Sequence, residues 1–115
     1  MDFEQACEEA RKTAFSFSDP LIVHHYDADG TSSGAIVVGA FLDANKKYRR
    51  LCLKKLDDAG IERLLPEKEV IFVDLGGGNK RVNELKDVVI IDHHQTEGID
   101  KLQVNPLLYG MDGST

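Results

Sequence analysis

Apolar residues recur at two different periods along this chain, and the alternation of those periods predicts its elements. Across residues 2–17 the positions Phe3, Ala6, Cys7, Ala10, Ala14 and Phe17 step by three and four, the spacing of one helical face, with Asp2 as cap. Asp19-Pro20 stops that helix. Leu21-Ile22-Val23-His24-His25 is a continuous apolar run opening into polar residues, as a strand buried on both faces does. Residues 26–30 read as a turn. Thr31, Ser32 or Ser33 would cap a second helix, with Ile36, Val37, Ala40, Phe41 and Ala44 on its apolar face. Residues 48–53 predict a strand, residues 57–65 a short helix stopped by Pro66, and residues 70–74 a second strongly apolar strand ending in an acid. Gly76-Gly77-Gly78 breaks the chain, residues 80–85 form a short helical turn, and residues 88–92 are a third apolar strand, again ending in an acid. After His93-His94 the chain loops toward Val104-Asn105-Pro106.

Strands alternating with helices predict an α/β fold. The expected architecture is three-layer and doubly wound, a mainly parallel sheet with helices on both faces. Ligands of such sheets bind beyond the carboxyl ends of the strands. Here the three most apolar strands each deliver His, Asp or Asp-His-His to that edge.

Composition narrows the reading. A chain of 115 residues with 42% hydrophobic and 30% charged residues fits one soluble globular domain and argues against disorder or a collagen-like chain. Its longest uncharged apolar stretch, residues 34–42, is far short of the ~20 residues of a membrane span, so no membrane association is expected. The net charge of −6 weighs against a protein that binds nucleic acid over its whole surface. It leaves open a local basic groove or a metal-bridged phosphate site. The two cysteines, Cys7 and Cys52, are expected to be reduced and packed as small apolar side chains. The acidic N-terminus carries no apolar signal segment, so a cytoplasmic protein is expected. The closing string Gly110-Met111-Asp112-Gly113-Ser114-Thr115 is turn-like, and a fragment of a longer chain is expected.

Three clusters carry candidate chemistry. In His24-His25-Tyr26-Asp27-Ala28-Asp29-Gly30, carboxylates two residues apart suit hard divalent cations, and Asp27 and Asp29 could each serve a neighbouring ion. The same string also fits a solvated acidic turn before a helix. Asp74 ends a buried strand, either as a ligand or as a cap for the next segment. Asp92-His93-His94 joins adjacent imidazoles to an acid, and a carboxylate can hold one ring nitrogen while the other binds metal. His24 is read as a satisfied core or surface histidine rather than a ligand. Taken jointly, carboxylates plus imidazole suit Mn²⁺, with Mg²⁺ or Zn²⁺ as alternatives. Ligands for more than one ion suggest a two-metal centre for phosphoryl displacement. Lys46, Lys47, Arg49, Arg50, Lys54 and Lys55 form a basic run that fits either a nucleic-acid backbone or a solvated strand edge. Gly76-Gly77-Gly78 is not followed by the Lys-Ser/Thr of a nucleotide-binding loop.

These clusters, in this order, resemble the DHH phosphoesterase superfamily, whose name spells Asp92-His93-His94. His25 to Gly30 is similar to its first motif in the RecJ-like branch, Val73-Asp74-Leu75-Gly76 to the second, and Val89 to Gln95 to the third. The tail from Asn105-Pro106 to Ser114 resembles archaeal RecJ-like proteins. The resemblance implies that residues 1–115 are the N-terminal part of a DHH domain. The C-terminal remainder, with a fourth-motif Asp for which Asp112 is a poor substitute, and the DHH-associated domain would be absent. It implies that His25 and Asp27 ligate one Mn²⁺, that Asp29 and His93 serve a second, and that Asp74 bridges the two. His94 would meet the scissile phosphate or support the site, and Asp92 would orient its neighbours. The implied activity is Mn²⁺-dependent exonucleolytic hydrolysis of single-stranded DNA or RNA in DNA repair or replication. Two alternatives stay open. One is hydrolysis of short oligoribonucleotides, cyclic dinucleotides or pyrophosphate; the other is a binding role toward the GINS replication complex.

Overall fold

A computed structural model of the chain describes residues 2–96 and 98–111. In chain order the elements are helix α1 (Phe3–Ser16), strand β1 (Leu21–His25), helix α2 (Ala28–Asp43), strand β2 (Arg49–Leu53), helix α3 (Asp58–Leu64) and strand β3 (Glu69–Val73). Next come a 3₁₀ turn (Lys80–Glu84), strand β4 (Asp87–Ile91), strand β5 (Leu102–Val104) and a second 3₁₀ turn (Pro106–Tyr109). The strands make one sheet in the order β2-β1-β3-β4-β5, and every neighbouring pair is parallel. The doubly wound α/β expectation holds, with an extra edge strand, β5, in a stretch read from sequence as loop. Three residues are too few for a periodicity to register.

Each central strand buries both faces. Ile22, Ile71, Val73, Val89 and Val104 pack under α1 and α2, while Leu21, Val23, Val70, Phe72, Val88 and Ile90 pack against Ile61, Leu64, Val82 and Leu85. Two-sided burial is why these strands read as unbroken apolar runs. The edge strand β2 alternates only between half-buried and exposed.

Helix α1 starts as expected. Asp2 accepts from the Gln5 N–H at 2.8 Å and Gln5 Oε1 returns a bond to the Asp2 N–H at 2.8 Å, a capping box. Its buried face is Ala6, Ala10 and Ala14, strict four-residue steps that turn Cys7 outward. Both cysteines are free and both are exposed, which corrects their expected packing; Cys52 lies on the outer strand β2.

Helix α2 departs further. Its cap is Asp27, not Thr31, Ser32 or Ser33, so residues 28–30 form its first turn rather than a loop. Its buried residues are Gly30, Gly34, Val38 and Phe41, while Ile36 is 74% exposed and Ala40 and Ala44 are exposed. Glycine explains the rotation. A Cβ at Gly34 would sit 2.7 Å from the His24 ring, and one at Gly30 would run into the His25 carbonyl. The helix therefore lies with its glycine stripe pressed on β1, a contact that a hydrophobicity pattern does not register. Asp112, the poor substitute for a fourth-motif acid, lies outside the described residues.

Candidate metal centre

The strand order reverses between β1 and β3, since the chain runs from β1 outward to β2 and then returns across β1 to β3. The crevice beyond the carboxyl ends at such a reversal is where open α/β sheets bind ligands. Asp74, the residue after β3, occupies it. Its φ is +64°, a left-handed conformation that few residues other than Gly, Asn and Asp adopt readily. Its N–H donates to the Ile91 carbonyl at 2.8 Å, which ties this turn to β4. The side chain is 4% exposed.

Three groups converge on Asp74. From β1, His25 Nδ1 lies 2.9 Å from Asp27 Oδ2 and 4.0 Å from Asp74 Oδ2. From beyond β4, His93 Nε2 is 2.8 Å from Asp74 Oδ1, and His94 Nδ1 is 4.0 Å from the same oxygen. His25, Asp27 and Asp74 offer ligand atoms within 4.8 Å of one another, and so do Asp74, Asp92, His93 and His94. Two ligand sets thus share one carboxylate.

The local chemistry fits a cation. His25 Nε2 is 2.9 Å from the Lys54 carbonyl, which can only accept, so Nε2 donates there and Nδ1 is the ring nitrogen turned toward Asp27 and Asp74. Asp74 Oδ2 is buried without a hydrogen-bond partner, and buried His25 Nδ1 has only the Asp27 carboxylate beside it, at 2.9 Å. Buried polar atoms are costly when unsatisfied. A divalent ion between them would satisfy both, and the Lys54 carbonyl already supplies the outer bond that fixes the ring of a metal-binding histidine.

The carboxylates are tuned in opposite directions. The Gly30 N–H, 2.8 Å from Asp27 Oδ1, holds the Asp27 carboxyl below its ordinary range, against partial desolvation and with His25 assisting. Burial pushes the Asp74 carboxyl upward; His93 and His94 oppose the rise and the charge of Asp27 adds to it.

Asp92 acts as a bracket. Its Oδ1 accepts from the His93 N–H (2.8 Å) and from His94 Nδ1 (2.6 Å), and its Oδ2 from the Gly77 N–H (3.1 Å). A Cβ at Gly77 would lie 2.7 Å from Gln103 Oε1 and 3.2 Å from Asp92 Oδ2, so a bare glycine backbone is what lets the loop close on this carboxylate.

Asp29 stands apart from both ligand sets. It lies on the exposed first turn of α2 and lines a cleft of about 290 Å³ with Ser32, Ser33, Asp74, Asp92 and His93. A second cleft of about 280 Å³, lined by His25, Lys54, Lys55, Asp74, Asn79 and His94, opens on the other side of Asp74. His24, 2% exposed, is the core histidine of the two readings: Nδ1 meets the His25 carbonyl at 3.0 Å and Nε2 accepts from Arg50 Nε at 2.9 Å.

Sequence reading missed the supports contributed by β5 and the residue after it. The Asp92 N–H donates to the Val104 carbonyl at 3.1 Å, and fully buried Asn105 donates from Nδ2 to the His94 carbonyl at 2.8 Å. The signal available was Asn-Pro itself, an Asn that caps a following 3₁₀ turn through the Leu107 N–H at 3.0 Å.

The parallel order, the crevice at the β1/β3 reversal and a shared carboxylate flanked by imidazoles define an α/β protein with a candidate divalent-metal centre. The chain belongs to the DHH family: the model of the DHH family N-terminal domain matches residues 20–114. An uncharacterized protein of Methanocaldococcus jannaschii, MJ0831, is 32% identical over 106 aligned residues, covering 81% of this chain. The chain spans 24% of that relative's length. Two crystal structures share the fold. RecJ in complex with Mn²⁺ from Thermus thermophilus has a TM-score of 0.71 at 21% identity, covering 92% of this chain and 17% of its own. An exonuclease RecJ bound to manganese has a TM-score of 0.74 at 20% identity, covering 94% and 32%.

Proposed function

We propose that this chain supplies the N-terminal part of the metal centre of a DHH phosphodiesterase, an exonuclease-like hydrolase of single-stranded DNA or RNA. The observation that carries the reading is the convergence of His25 Nδ1 and Asp27 Oδ2 on Asp74 Oδ2, a buried oxygen with no hydrogen-bond partner, at the β1/β3 reversal. In this reading His25, Asp27 and Asp74 hold one ion, Asp74 and His93 hold the other, and Mn²⁺ is the ion of choice for mixed imidazole and carboxylate donors. Such a pair supplies an activated water and charge neutralisation at the phosphate. The protein's own groups do the rest. Asp92 holds His94 through Nδ1, which leaves the other face of an exposed ring free to meet a non-bridging phosphate oxygen. Asp29 lines the same crevice from α2 and is proposed as a further ligand of the second ion. We further propose that the remaining part of the DHH domain and a DHH-associated domain belong to the whole protein, which works in the cytoplasm. Both RecJ structures hold manganese, which supports the choice of ion.

The test uses the full-length protein containing this chain, with a labelled single strand and a dinucleotide as competing substrates in Mn²⁺. Faster cleavage of the strand is the expected result. Preference for the dinucleotide selects the small-substrate alternative. No cleavage of either, together with capture of GINS subunits, selects the binding role.

A further inference from the structure

The basic run that the metal centre leaves unused is divided by the fold. Lys46 and Lys47 precede β2 and so lie at the amino edge of the sheet. There Arg49 is neutralised by Asp19 at 3.3 Å and Glu67 at 2.8 Å. Lys54 and Lys55 leave β2 at the opposite end and line the second cleft with His25, Asp74 and His94. Their charges are lightly compensated. Lys55 Nζ is 3.8 Å from Asp57 Oδ2 with 76% of its side chain exposed, and Lys54 is exposed with no ion pair among the described residues. The backbone beneath them is pinned on both sides. The Lys54 carbonyl accepts from His25 Nε2 at 2.9 Å, and the Leu56 carbonyl from Asn79 Nδ2 at 3.0 Å. The other cleft shares Asp74 and Asp92 with this one, but adds Asp29, Phe3, Ile36 and Pro106 where this one has the two lysines.

We infer that Lys54 and Lys55 form a cationic ledge for the phosphates next to the scissile one, so that a single strand crosses the centre over the carboxyl end of β2. A polyanion laid along the Asp29 side would meet one further carboxylate and apolar surface, whereas the ledge offers two ammonium groups on a fixed backbone. The inference rests on the phosphodiesterase reading of the same centre and adds the path of the strand.

The test measures binding of a labelled single-stranded oligonucleotide by the full-length protein, with Ca²⁺ replacing Mn²⁺, by anisotropy across a salt series. Lys54→Ala with Lys55→Ala should weaken binding about tenfold and reduce the slope of log affinity against log salt by about 1.4, two phosphate contacts on a single strand. Lys54→Arg with Lys55→Arg should keep the wild-type slope. Lys46→Ala with Lys47→Ala, the same loss of charge at the opposite edge, should leave the slope unchanged. A wild-type slope in the first double variant overturns the ledge, and so does an equal loss in the variant at the opposite edge. A strand that is bound with these slopes but not cleaved in Mn²⁺ supports the ledge and overturns the hydrolytic reading alone.

Discussion

Two turns of this molecule are built alike and are chemically unlike. After β1, Asp27 caps α2 and accepts from the Gly30 N–H at 2.8 Å; after β2, Asp57 caps α3 and accepts from the Gly60 N–H at 2.9 Å. Both strands are parallel, so both caps stand at the same edge of the sheet. The free carboxylate oxygen separates them. Asp27 Oδ2 faces His25 Nδ1 at 2.9 Å and Asp74 lies next along the sheet, whereas Asp57 Oδ2 faces the ammonium of Lys55 at 3.8 Å. Beyond Asp57, the acids Asp58, Glu62 and Glu84 gather on Arg81 at 3.4, 2.7 and 2.9 Å and raise its affinity for its proton. One acidic region therefore carries its own cation. Around Asp74 the neighbours are imidazoles and further carboxylates. The lesson is that a strand–Asp–x–x–Gly turn becomes a candidate site when the neighbouring strand ends bring imidazole and a further carboxylate to its free oxygen, rather than a lysine of its own loop.

The comparison can be broken most sharply at Asp74. Asn tolerates the left-handed backbone there, so Asp74→Asn should keep the fold while removing the shared charge. In the full-length protein Mn²⁺-dependent hydrolysis should fall about a thousandfold, since a lost metal ligand forfeits several kcal/mol of charge stabilisation in the transition state. Far-ultraviolet circular dichroism of the variant should match wild type; hydrolysis retained at the wild-type rate would remove Asp74 from the centre.

The twin caps come next. Asn preserves the capping oxygen but not the charge, so Asp27→Asn should weaken Mn²⁺ binding about a hundredfold in a calorimetric titration, while Asp57→Asn should leave it unchanged. Equal losses would mean that the two turns do not differ as the structure has them.

Their glycines separate as well. A Cβ at Gly30 meets the His25 backbone carbonyl, and Gly30→Ala should cost about 3 kcal/mol of stability in chemical denaturation. At Gly60 the nearest atom is the flexible Leu56 Cδ1 at 3.3 Å, and Gly60→Ala should change stability by less than about 1 kcal/mol, helped by the better helix propensity of alanine.

The smallest effect concerns pH. The Gly60 N–H holds the Asp57 carboxyl below its ordinary value, so the folded state binds this proton less tightly than the unfolded chain. The resulting stability is present above the unfolded aspartate value and is lost as pH falls through the lower folded one. Asp57→Ala should lower the thermal midpoint at neutral pH, and the gap should close with acidification through that window. A gap that widened on acidification would contradict the assignment.

Much of this arrangement is legible along the chain. The apolar runs of β1, β3 and β4 mark strands buried on both faces, and an acid or histidine stands at or just past the end of each. Asp2 and Asp57 read correctly as the starts of α1 and α3, because a cap acts on backbone within three residues of itself. Helix α2 was not legible in the same way, since the residues it buries at Gly30 and Gly34 have no side chains to form a pattern. Nor were β5 and Asn105, which matter through bonds to Asp92 and His94 more than ten residues away.

Residues close together along the chain settle which segments are strands, which are helices, and that acids and imidazoles cluster at the carboxyl ends of strands. Side-chain period and capping act within a turn or two, so these features need no knowledge of distant partners. Three others belong to the folded molecule alone: β1 lies beside β3 with β2 outside it, Asp27 gathers with His25 and Asp74 while Asp57 meets a lysine, and the basic run is split between two edges. Strand order depends on which faces bury best together after the helices have packed, and that free energy belongs to pairs of residues far apart in the chain.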